Sequence, residues 1–390
     1  MISFEQAYKT VMDQALPLPS ERVQMLDALG RVLAEDILAD MDMPPFVKAA
    51  VDGYACRFED MHSPMEVIEI IAAGKVPVKR IEQGKCSKIM TGAMLPEGAD
   101  GVVMVEDTED YMDNQIRFLK KESNKNICYK GEDIKTGDTL IDRGTLIKPQ
   151  HIAVLATTGT VNPLVYRQVR VGIFSTGDEL VEPGSKPGPA RIRNSNAFQL
   201  FSQVRTASAI PAYFGIAKDE PGHLLEKINQ TLENNDIALL TGGVSMGDFD
   251  FVPQVLQDAG IEIIFKSVAV QPGRPTVFGR KKDRFIFGLP GNPVSSFVLF
   301  EILVKPFIMR LMGCSYVHPL LILPMGVNFQ RKQSIRKSLI PVRILDGHLF
   351  PIEYHGSAHI NAYTSADGII ALEPGETLLK KGDAVSVRQV

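Results

Sequence analysis

The feature of this sequence that most constrains its fold is an alternation of apolar runs and amphipathic segments between residues 168 and 313. Alternating strands and helices favour a largely parallel sheet covered by helices. We therefore expect a multidomain α/β protein whose 168–313 domain has three α/β/α layers. The pattern predicts strands at 169–174, 212–216, 237–240, 261–268 and 285–287, and helices at 196–207, 221–234, 251–259 and 293–311.

The remaining sequence predicts four flanking segments, because 390 residues exceed one ordinary core. Residues 1–40 and 138–167 form a split helical scaffold around an inserted β-rich domain at 41–137. Residues 314–390 are expected to form a small terminal β-barrel or sandwich. The helix signals are a capping box at Ser3 and Gln6, apolar spacing over Val23–Leu33, and Pro149 at a helix start; Asp346-Gly347 and Asp367-Gly368 mark turns in the terminal domain.

Charge and hydropathy exclude two classes of partner. With 42 Lys and Arg against 46 Asp and Glu, the net charge of -4 provides no basic footprint for nucleic acid or for a membrane surface. The apolar stretch 294–312 contains Glu301, Lys305 and Arg310, so it does not predict a membrane span. We expect a cytoplasmic protein, and the four cysteines lack the spacing of a zinc site or a disulfide framework.

Three unusual loops follow the predicted strands, at 175–179, 241–248 and 288–293. Ligands of parallel α/β sheets collect at the carboxyl ends of the strands. Gly242 and Gly243 allow close approach of a ligand, and Asn292 with Pro293 begins a helix whose N–H groups suit a phosphate. One glycine pair alone is as well explained by a tight turn, but three such loops on one edge favour a phosphate site.

Acidic residues occupy the same edge, and these are Asp178, Glu179, Asp219, Asp248 and Asp250. Carboxylates beside a phosphate repel it unless a hard cation bridges them, which favours Mg²⁺. For Asp219, a helix-capping role explains the residue equally well. The dinucleotide and P-loop glycine signatures, the G-x-S-x-G elbow and H-E-x-x-H are absent, which disfavours the enzymes that use them.

The amino-acid sequence of these loops resembles that of the molybdopterin molybdenumtransferase family, which includes the gephyrin-like proteins. The resemblance covers nearly the whole chain. It rests on VDGYA at 51–55, MTGA at 90–93, PEGAD at 96–100, GEDI at 131–134, STGDEL at 175–180, NSN at 194–196, GGVSMG at 242–247, PGRP at 272–275 and LPGNPVS at 289–295.

The resemblance implies a homodimer whose 168–313 domain binds molybdopterin and whose active site is shared between subunits. Asp52, Thr91 and Asp133 would then serve the site of the neighbouring subunit. The implied reaction inserts molybdate into adenylylated molybdopterin and releases AMP, with transient contacts to the adenylyltransferase and to apo-molybdoenzymes. The resemblance therefore implies an enzyme of molybdenum cofactor biosynthesis that acts on small-molecule substrates.

The resemblance also assigns roles at the strand ends. Glu179, Asp219 and Asp250 orient the pyrophosphate, and Glu179 and Asp250 bind the cation. Arg274, beside Pro275, Ser295, Arg343 and Ser357 would hold molybdate, because a guanidinium presents a fixed fork of donors to an oxyanion. The expected donors to phosphate or pterin are Thr176, Gly177, Gly242, Gly243, Ser245, Gly291, Asn292 and Ser295.

Two basic positions of the family pattern are changed, and Ala49 replaces a common serine before the DGY motif. Cys128 stands where the family usually has an arginine, and Gln271 where it has a lysine. Loss of two basic contacts would weaken anion binding. Two other functions therefore remain open, a gephyrin-like scaffold with reduced catalysis and a molybdopterin adenylyltransferase-type enzyme.

Overall fold

The computed structural model describes residues 1–244, 252–314, 320–332, 335–353 and 359–390. The chain divides into two compact units. The large unit contains Met1–Glu35, Gly144–Lys148 and Asn162–Val390, and the small unit contains Asp36–Arg143 and Pro149–Val161. None of the helices in these described ranges is long and apolar enough to cross a membrane.

A six-stranded sheet forms the centre of the large unit. Its strands lie in the order Ile210–Ala217, Arg170–Thr176, Ile237–Thr241, Arg284–Leu289, Val277–Lys281 and Glu262–Phe265. The first four strands are parallel, and the last two pair antiparallel. The sequence did not predict strand Val277–Lys281, because Gly279 and the terminal Arg280 and Lys281 leave it no extended apolar run.

Helices cover both faces of this sheet because each strand alternates its side chains between two apolar clusters. Val171, Ile173 and Leu239 belong to one cluster, while Phe174 and Leu240 belong to the other. The first cluster includes residues of helices Phe4–Asp13, Asn196–Thr206, Pro293–Leu299 and Lys305–Leu311, and the second includes residues of helices Pro221–Glu233 and Val252–Asp258. A π-helical turn, Phe300–Val304, joins Pro293–Leu299 to Lys305–Leu311.

The N-terminal segment confirms one helix prediction and corrects another. The capping box forms, since Gln6 N–H donates to the Ser3 hydroxyl and Ser3 N–H donates back to the Gln6 side chain. The helix predicted over Val23–Leu33 is wrong. Only a 3₁₀ turn, Met25–Ala28, forms there, with Leu26 76% exposed. Val32 and Leu33 are buried through bridges to Leu146 and Val165, so tertiary pairing determined their burial.

The C-terminal part of the large unit is rich in strands. Asp346 and Gly347 have φ values of 46° and 73° and form the predicted hairpin turn. The turn predicted at Asp367-Gly368 is wrong, because Gly368 begins a strand. One sheet has the order Val270–Gln271, Lys337–Leu345, Gly368–Leu372, Ala384–Gln389 and Leu320–Pro324, His348–Pro351 pairs with Lys337–Leu345, and Phe329–Gln330 pairs with Leu378–Leu379. An isolated bridge joins Met325 to Leu349.

The small unit is built on a six-stranded sheet of its own. Helix Pro149–Thr157 also belongs to this unit and begins at the predicted proline. The sheet order is Gly101–Met104, Gly53–Cys56, Lys85–Ile89, Met65–Ile71, Gln115–Phe118 and Thr108–Met112; Lys48–Ala49 pairs with Ile127–Cys128, and Ile37–Leu38 pairs with Thr139–Ile141.

Candidate active site

The site is positioned by the register of the four parallel strands in the large unit. Thr176 lies opposite Ala217, Ser175 opposite Thr241, and Thr241 opposite Leu289. The four strands therefore end at the same edge of the sheet. The loops that follow these strands meet there, as expected for a ligand site in a parallel α/β sheet.

These loops enclose a cavity of about 320 Å³. All of its lining residues except Val244 and Pro290 are among those that the sequence predicts for the site. The lining comprises Thr176, Gly177, Glu179, Asp219, Gly242, Gly243, Val244, Pro275, Pro290, Gly291 and Asn292.

Gly242 is required by the close approach of two loops. Its φ is +95°, and a Cβ atom there would lie 2.3 Å from the carbonyl oxygen of Thr176. Gly291 lies beside it, since a Cβ on Gly291 would be in ordinary van der Waals contact with the Gly242 Cα, at 3.6 Å. Glycine leaves the backbone bare at the cavity wall, so a ligand can approach it closely, while the Gly242 N–H itself donates to the Leu289 carbonyl.

Two carboxylates lie at the same cavity. The Asp219 carboxylate accepts hydrogen bonds from the Thr176 hydroxyl at 2.5 Å and from Asp178 N–H at 3.4 Å. Glu179 is exposed, and a Cβ on Gly177 would lie 2.5 Å from its Oε2. Gly177 therefore provides the space in which the Glu179 carboxylate folds back towards the loop.

This donor set fits Mg²⁺, which is commonly held by one or two carboxylates together with phosphate oxygens of a substrate. In the part of the chain that the structure describes, no group of three or more His, Cys, Asp and Glu side chains is arranged around one point. The predicted ligand Asp250 and the predicted donor Ser245 lie outside the described residues.

The predicted molybdate donors are distributed differently. Pro275 lines the cavity, whereas the neighbouring Arg274 is exposed, and its carbonyl accepts from Val268 and Thr276 N–H. Ser295 is buried in the first turn of helix Pro293–Leu299. Arg343 is an exposed residue of strand Lys337–Leu345. Arg274, Ser295 and Arg343 thus do not line this cavity, and Ser357 lies outside the described residues.

The remaining predicted residues belong to the small unit. Both the hydroxyl and the backbone N–H of Thr91 donate to Asp52 Oδ1 at 2.6 Å. These two bonds, the hydroxyl first, hold the pKa of Asp52 below its ordinary value. Asp133 is exposed on a different turn, where its N–H donates to the Met43 carbonyl.

Sequence reasoning missed Asn196 as a site residue, although it belongs to the NSN motif. Its side-chain N–H group donates to the Gly291 carbonyl at 2.7 Å, and the residue is 8% exposed. Asn196 therefore holds the cavity loop that contains Gly291. The signal was present in the sequence, because a polar triplet stands at the start of the predicted helix.

Fold and cavity together define a multidomain α/β protein with a cavity, lined by glycine-rich loops and two carboxylates, at the ends of its parallel strands. Three family models match the chain: the MoeA N-terminal region (domains I and II) at residues 2–159, a probable molybdopterin binding domain at 172–310, and the MoeA C-terminal region (domain IV) at 326–390. The chain belongs to the molybdopterin molybdenumtransferase family.

Individual relatives agree with this assignment. The molybdopterin molybdenumtransferase of Staphylococcus epidermidis is 33% identical over 400 residues, which cover 99% of this chain and 95% of the relative. That of Bacillus subtilis is 39% identical over 300 residues, covering 74% and 70%. The crystal structure of a molybdopterin biosynthesis moeA protein from Pyrococcus horikoshii matches with a TM-score of 0.86 and 27% identity, covering 100% of both chains.

Proposed function

We propose that the chain is a molybdopterin molybdenumtransferase, which inserts molybdate into adenylylated molybdopterin with release of AMP. One observation carries the proposal: glycine-rich loops and two carboxylates converge on a single cavity at the ends of four adjacent parallel strands. The names and extent of the matching relatives support this choice of reaction.

In the proposed complex the phosphoanhydride of the substrate lies against Gly242 and Gly243, whose backbone leaves room for it. Asn292 and the first turn of helix Pro293–Leu299 provide further donors. Thr176 keeps the Asp219 carboxylate turned towards the cavity. A Mg²⁺ ion held by Glu179, with Asp219 or Asp250, would neutralise charge on the phosphates.

Molybdate is a dianion and needs cationic donors near the dithiolene. We assign this role to Arg274, next to the cavity residue Pro275, with Ser295, Arg343 and Ser357 as further donors. The side chain of Arg274 is exposed and rotates about several bonds, so it can turn towards a bound oxyanion.

The proposed enzyme is a homodimer in which Asp52, Thr91 and Asp133 of one subunit complete the cavity of the other. The Asp52 carboxylate has a low pKa and is therefore a stable anion at neutral pH, suited to orienting water or a cation.

We also propose that the chain divides into five segments, with boundaries near residues 40, 137, 167 and 313. The last segment would be a β-barrel closed through the bridge between Met325 and Leu349. A cytoplasmic location and transient contacts with the adenylyltransferase and apo-molybdoenzymes belong to the same proposal.

A direct assay tests the proposed function. Purified protein receives adenylylated molybdopterin, molybdate and Mg²⁺, and AMP release is followed together with activation of an apo-molybdoenzyme. We expect AMP release that depends on the protein and an activated acceptor enzyme. Absence of AMP release at saturating substrate would overturn the proposal, and transfer of AMP from ATP onto free molybdopterin would favour an adenylyltransferase instead.

A further inference from the structure

Two buried hydroxyl groups lie directly beneath the cavity. Ser175 and Thr241 are opposite each other on adjacent strands, and their side-chain oxygens are 3.0 Å apart. Both are essentially buried, with exposures of 0% and 2%. Ser175 immediately precedes the cavity residues Thr176 and Gly177, and Thr241 immediately precedes Gly242 and Gly243.

A line of side chains continues from these hydroxyls to the protein surface. The Ser175 hydroxyl donates to Asn194 Oδ1 at 2.9 Å, and Asn194 Nδ2 donates to the Tyr213 hydroxyl at 3.0 Å. The Tyr213 hydroxyl donates to Glu182 Oε1 at 2.8 Å. Asn194 is buried, Tyr213 is half-buried and Glu182 is exposed. We call these five residues the polar chain.

The carboxylate at the end of the polar chain allows the direction of each bond to be assigned, and the Ala197 N–H, which donates to Asn194 Oδ1 at 3.4 Å, favours the same orientation of the amide. A carboxylate only accepts, so Tyr213 must donate its one proton to Glu182. Burial, and then the bond to Glu182, raise the pKa of Tyr213, which keeps this proton in place. Asn194 must therefore present its NH₂ group to Tyr213 and its oxygen to Ser175. The Ser175 hydroxyl then donates its one proton to Asn194, so the Thr241 hydroxyl must donate to the Ser175 oxygen.

Such a one-way chain is a costly feature for a core to keep. Each buried hydroxyl or amide is unfavourable unless it is satisfied, and aligned hydrogen bonds strengthen one another. Cavity residues follow directly after two of its members. Neither Tyr213 nor Glu182 lines the cavity, and the polar chain connects them through Asn194 to Ser175 and Thr241.

We propose that Tyr213 and Glu182 are positioning residues for the two glycine loops, which act by orienting the Asn194 amide and hence the Ser175 and Thr241 hydroxyls. The inference rests on the proposed function only for the identity of the ligand. The positioning itself is a property of the unliganded protein.

Amide hydrogen exchange of Gly242 tests the positioning without any ligand, because its N–H donates to the Leu289 carbonyl at 3.1 Å. In Tyr213→Phe we expect the Gly242 amide to exchange about tenfold faster, the factor that corresponds to 1.4 kcal/mol. The matched control is Tyr8→Phe, which removes a hydroxyl from another half-buried ring of the same unit. It should leave Gly242 exchange unchanged.

Variants of Glu182 test the direction of the hydrogen bonds in the polar chain. Because Glu182 is exposed, we expect these variants to fold normally. In Glu182→Gln the amide oxygen still accepts from Tyr213, so exchange at Gly242 should remain close to that of the wild type. In Glu182→Lys only donors face Tyr213, and exchange should rise as it does in Tyr213→Phe. Equal behaviour of the two variants would contradict a directional chain.

A double-mutant cycle tests whether the residues act as one unit. Thr241→Val breaks the other end of the polar chain, and Thr231→Val is its control, since Thr231 is a buried threonine whose hydroxyl donates to the Lys227 carbonyl of its own helix. We expect the Tyr213→Phe, Thr241→Val double variant to exchange no faster than the worse single variant. Exchange equal to the product of the two effects would mean independent residues and would overturn the inference.

Kinetics then connect the polar chain to activity. In Tyr213→Phe, KM for adenylylated molybdopterin should rise about fivefold, within the range of one net hydrogen bond, with a smaller change in kcat. An unchanged KM together with unchanged Gly242 exchange overturns the inference. A wild-type protein that releases no AMP refutes the proposed function alone, because the exchange measurement still decides the positioning.

Discussion

Gly242 shows how a single residue sets the shape of the cavity, and it provides the first prediction. Ala at this position combines a φ of +95° with a Cβ 2.3 Å from the Thr176 carbonyl oxygen. Gly347→Ala is the matched control, because its φ is +73° but nothing lies within 4 Å of the added Cβ. In both variants the strained backbone conformation should lower the free energy of unfolding by about 1 to 3 kcal/mol, which urea unfolding measures. Only Gly242→Ala should also lose affinity for AMP, measured by calorimetry; equal affinity in both variants would contradict the role of Gly242.

The second residue-scale prediction concerns Asp52. Its pKa is low because of the two Thr91 bonds, so Thr91→Val should raise it towards the ordinary aspartate value. Asp42 has the same arrangement with Thr136, whose backbone and then side-chain bonds lower its pKa. Thr91→Val should leave Asp42 unchanged, and Thr136→Val should show the reverse pattern. Carboxyl ¹³C titration by NMR measures both groups.

The sign of the pH effect on stability follows from the same shifts. A carboxyl whose folded-state pKa is lowered adds stability that is complete above the ordinary pKa and is lost as the pH falls through the lowered value. Thr91→Val should therefore have a lower free energy of unfolding than the wild type at neutral pH. The two proteins should become equally stable in acid, where Asp52 is protonated in both. An unchanged pKa of Asp52 in Thr91→Val would refute the assignment.

At the scale of residues, sequence predicted the glycines and acids because their roles depend on local backbone freedom and on loop position. It did not reveal Asn196 or the polar chain. Asn194, Ser175 and Tyr213 come from three separate elements, and only their packing in the folded sheet brings them together.

The amino ends of the parallel strands lie at the sheet edge opposite the cavity and are joined by an ion pair. Asp236 precedes strand Ile237–Thr241 and forms two bonds of 2.9 Å with Arg167, while it also accepts from Arg170 N–H at 2.8 Å. The residue is 7% exposed. This ion pair therefore fixes the starts of two neighbouring strands.

Removing Asp236 should therefore destabilise the sheet strongly. For Asp236→Ala we expect a loss of about 1.5 to 3 kcal/mol in the free energy of unfolding, because the half-buried Arg167 and the Arg170 N–H both lose their charged acceptor. Glu262→Ala, which breaks the exposed pair with Arg280, should cost less than about 1 kcal/mol. Urea unfolding compares the two, and similar costs would contradict the account.

The elements that sequence predicted correctly are those whose apolar residues follow one period. Strand Ile237–Thr241 and helix Pro221–Glu233 were recognised in this way. The segment Val23–Leu33 was misread because its helical spacing is incidental: Val32 and Leu33 pair with distant residues 146 and 165. Pairing partners far along the chain leave no periodic signal.

At the scale of the whole molecule, the resemblance implies a site shared between subunits, which mixing can test. Gly242→Ala damages the proposed cavity and Asp52→Ala damages the group contributed by the neighbour. Random mixing in a twofold dimer gives mixed dimers with one intact site, so about a quarter of wild-type activity should return. If the site is formed within one chain, every site carries a lesion and mixing restores nothing. Spacing along one chain could not predict this arrangement.

The central claim is that the cavity at the ends of the four parallel strands holds the phosphoanhydride of adenylylated molybdopterin. A crystal structure with AMP, Mg²⁺ and molybdate tests it most directly. We expect the AMP phosphate against the backbone of Gly242 and Gly243, with the cation at Glu179. AMP bound elsewhere, with this cavity empty at saturating concentration, would contradict the account.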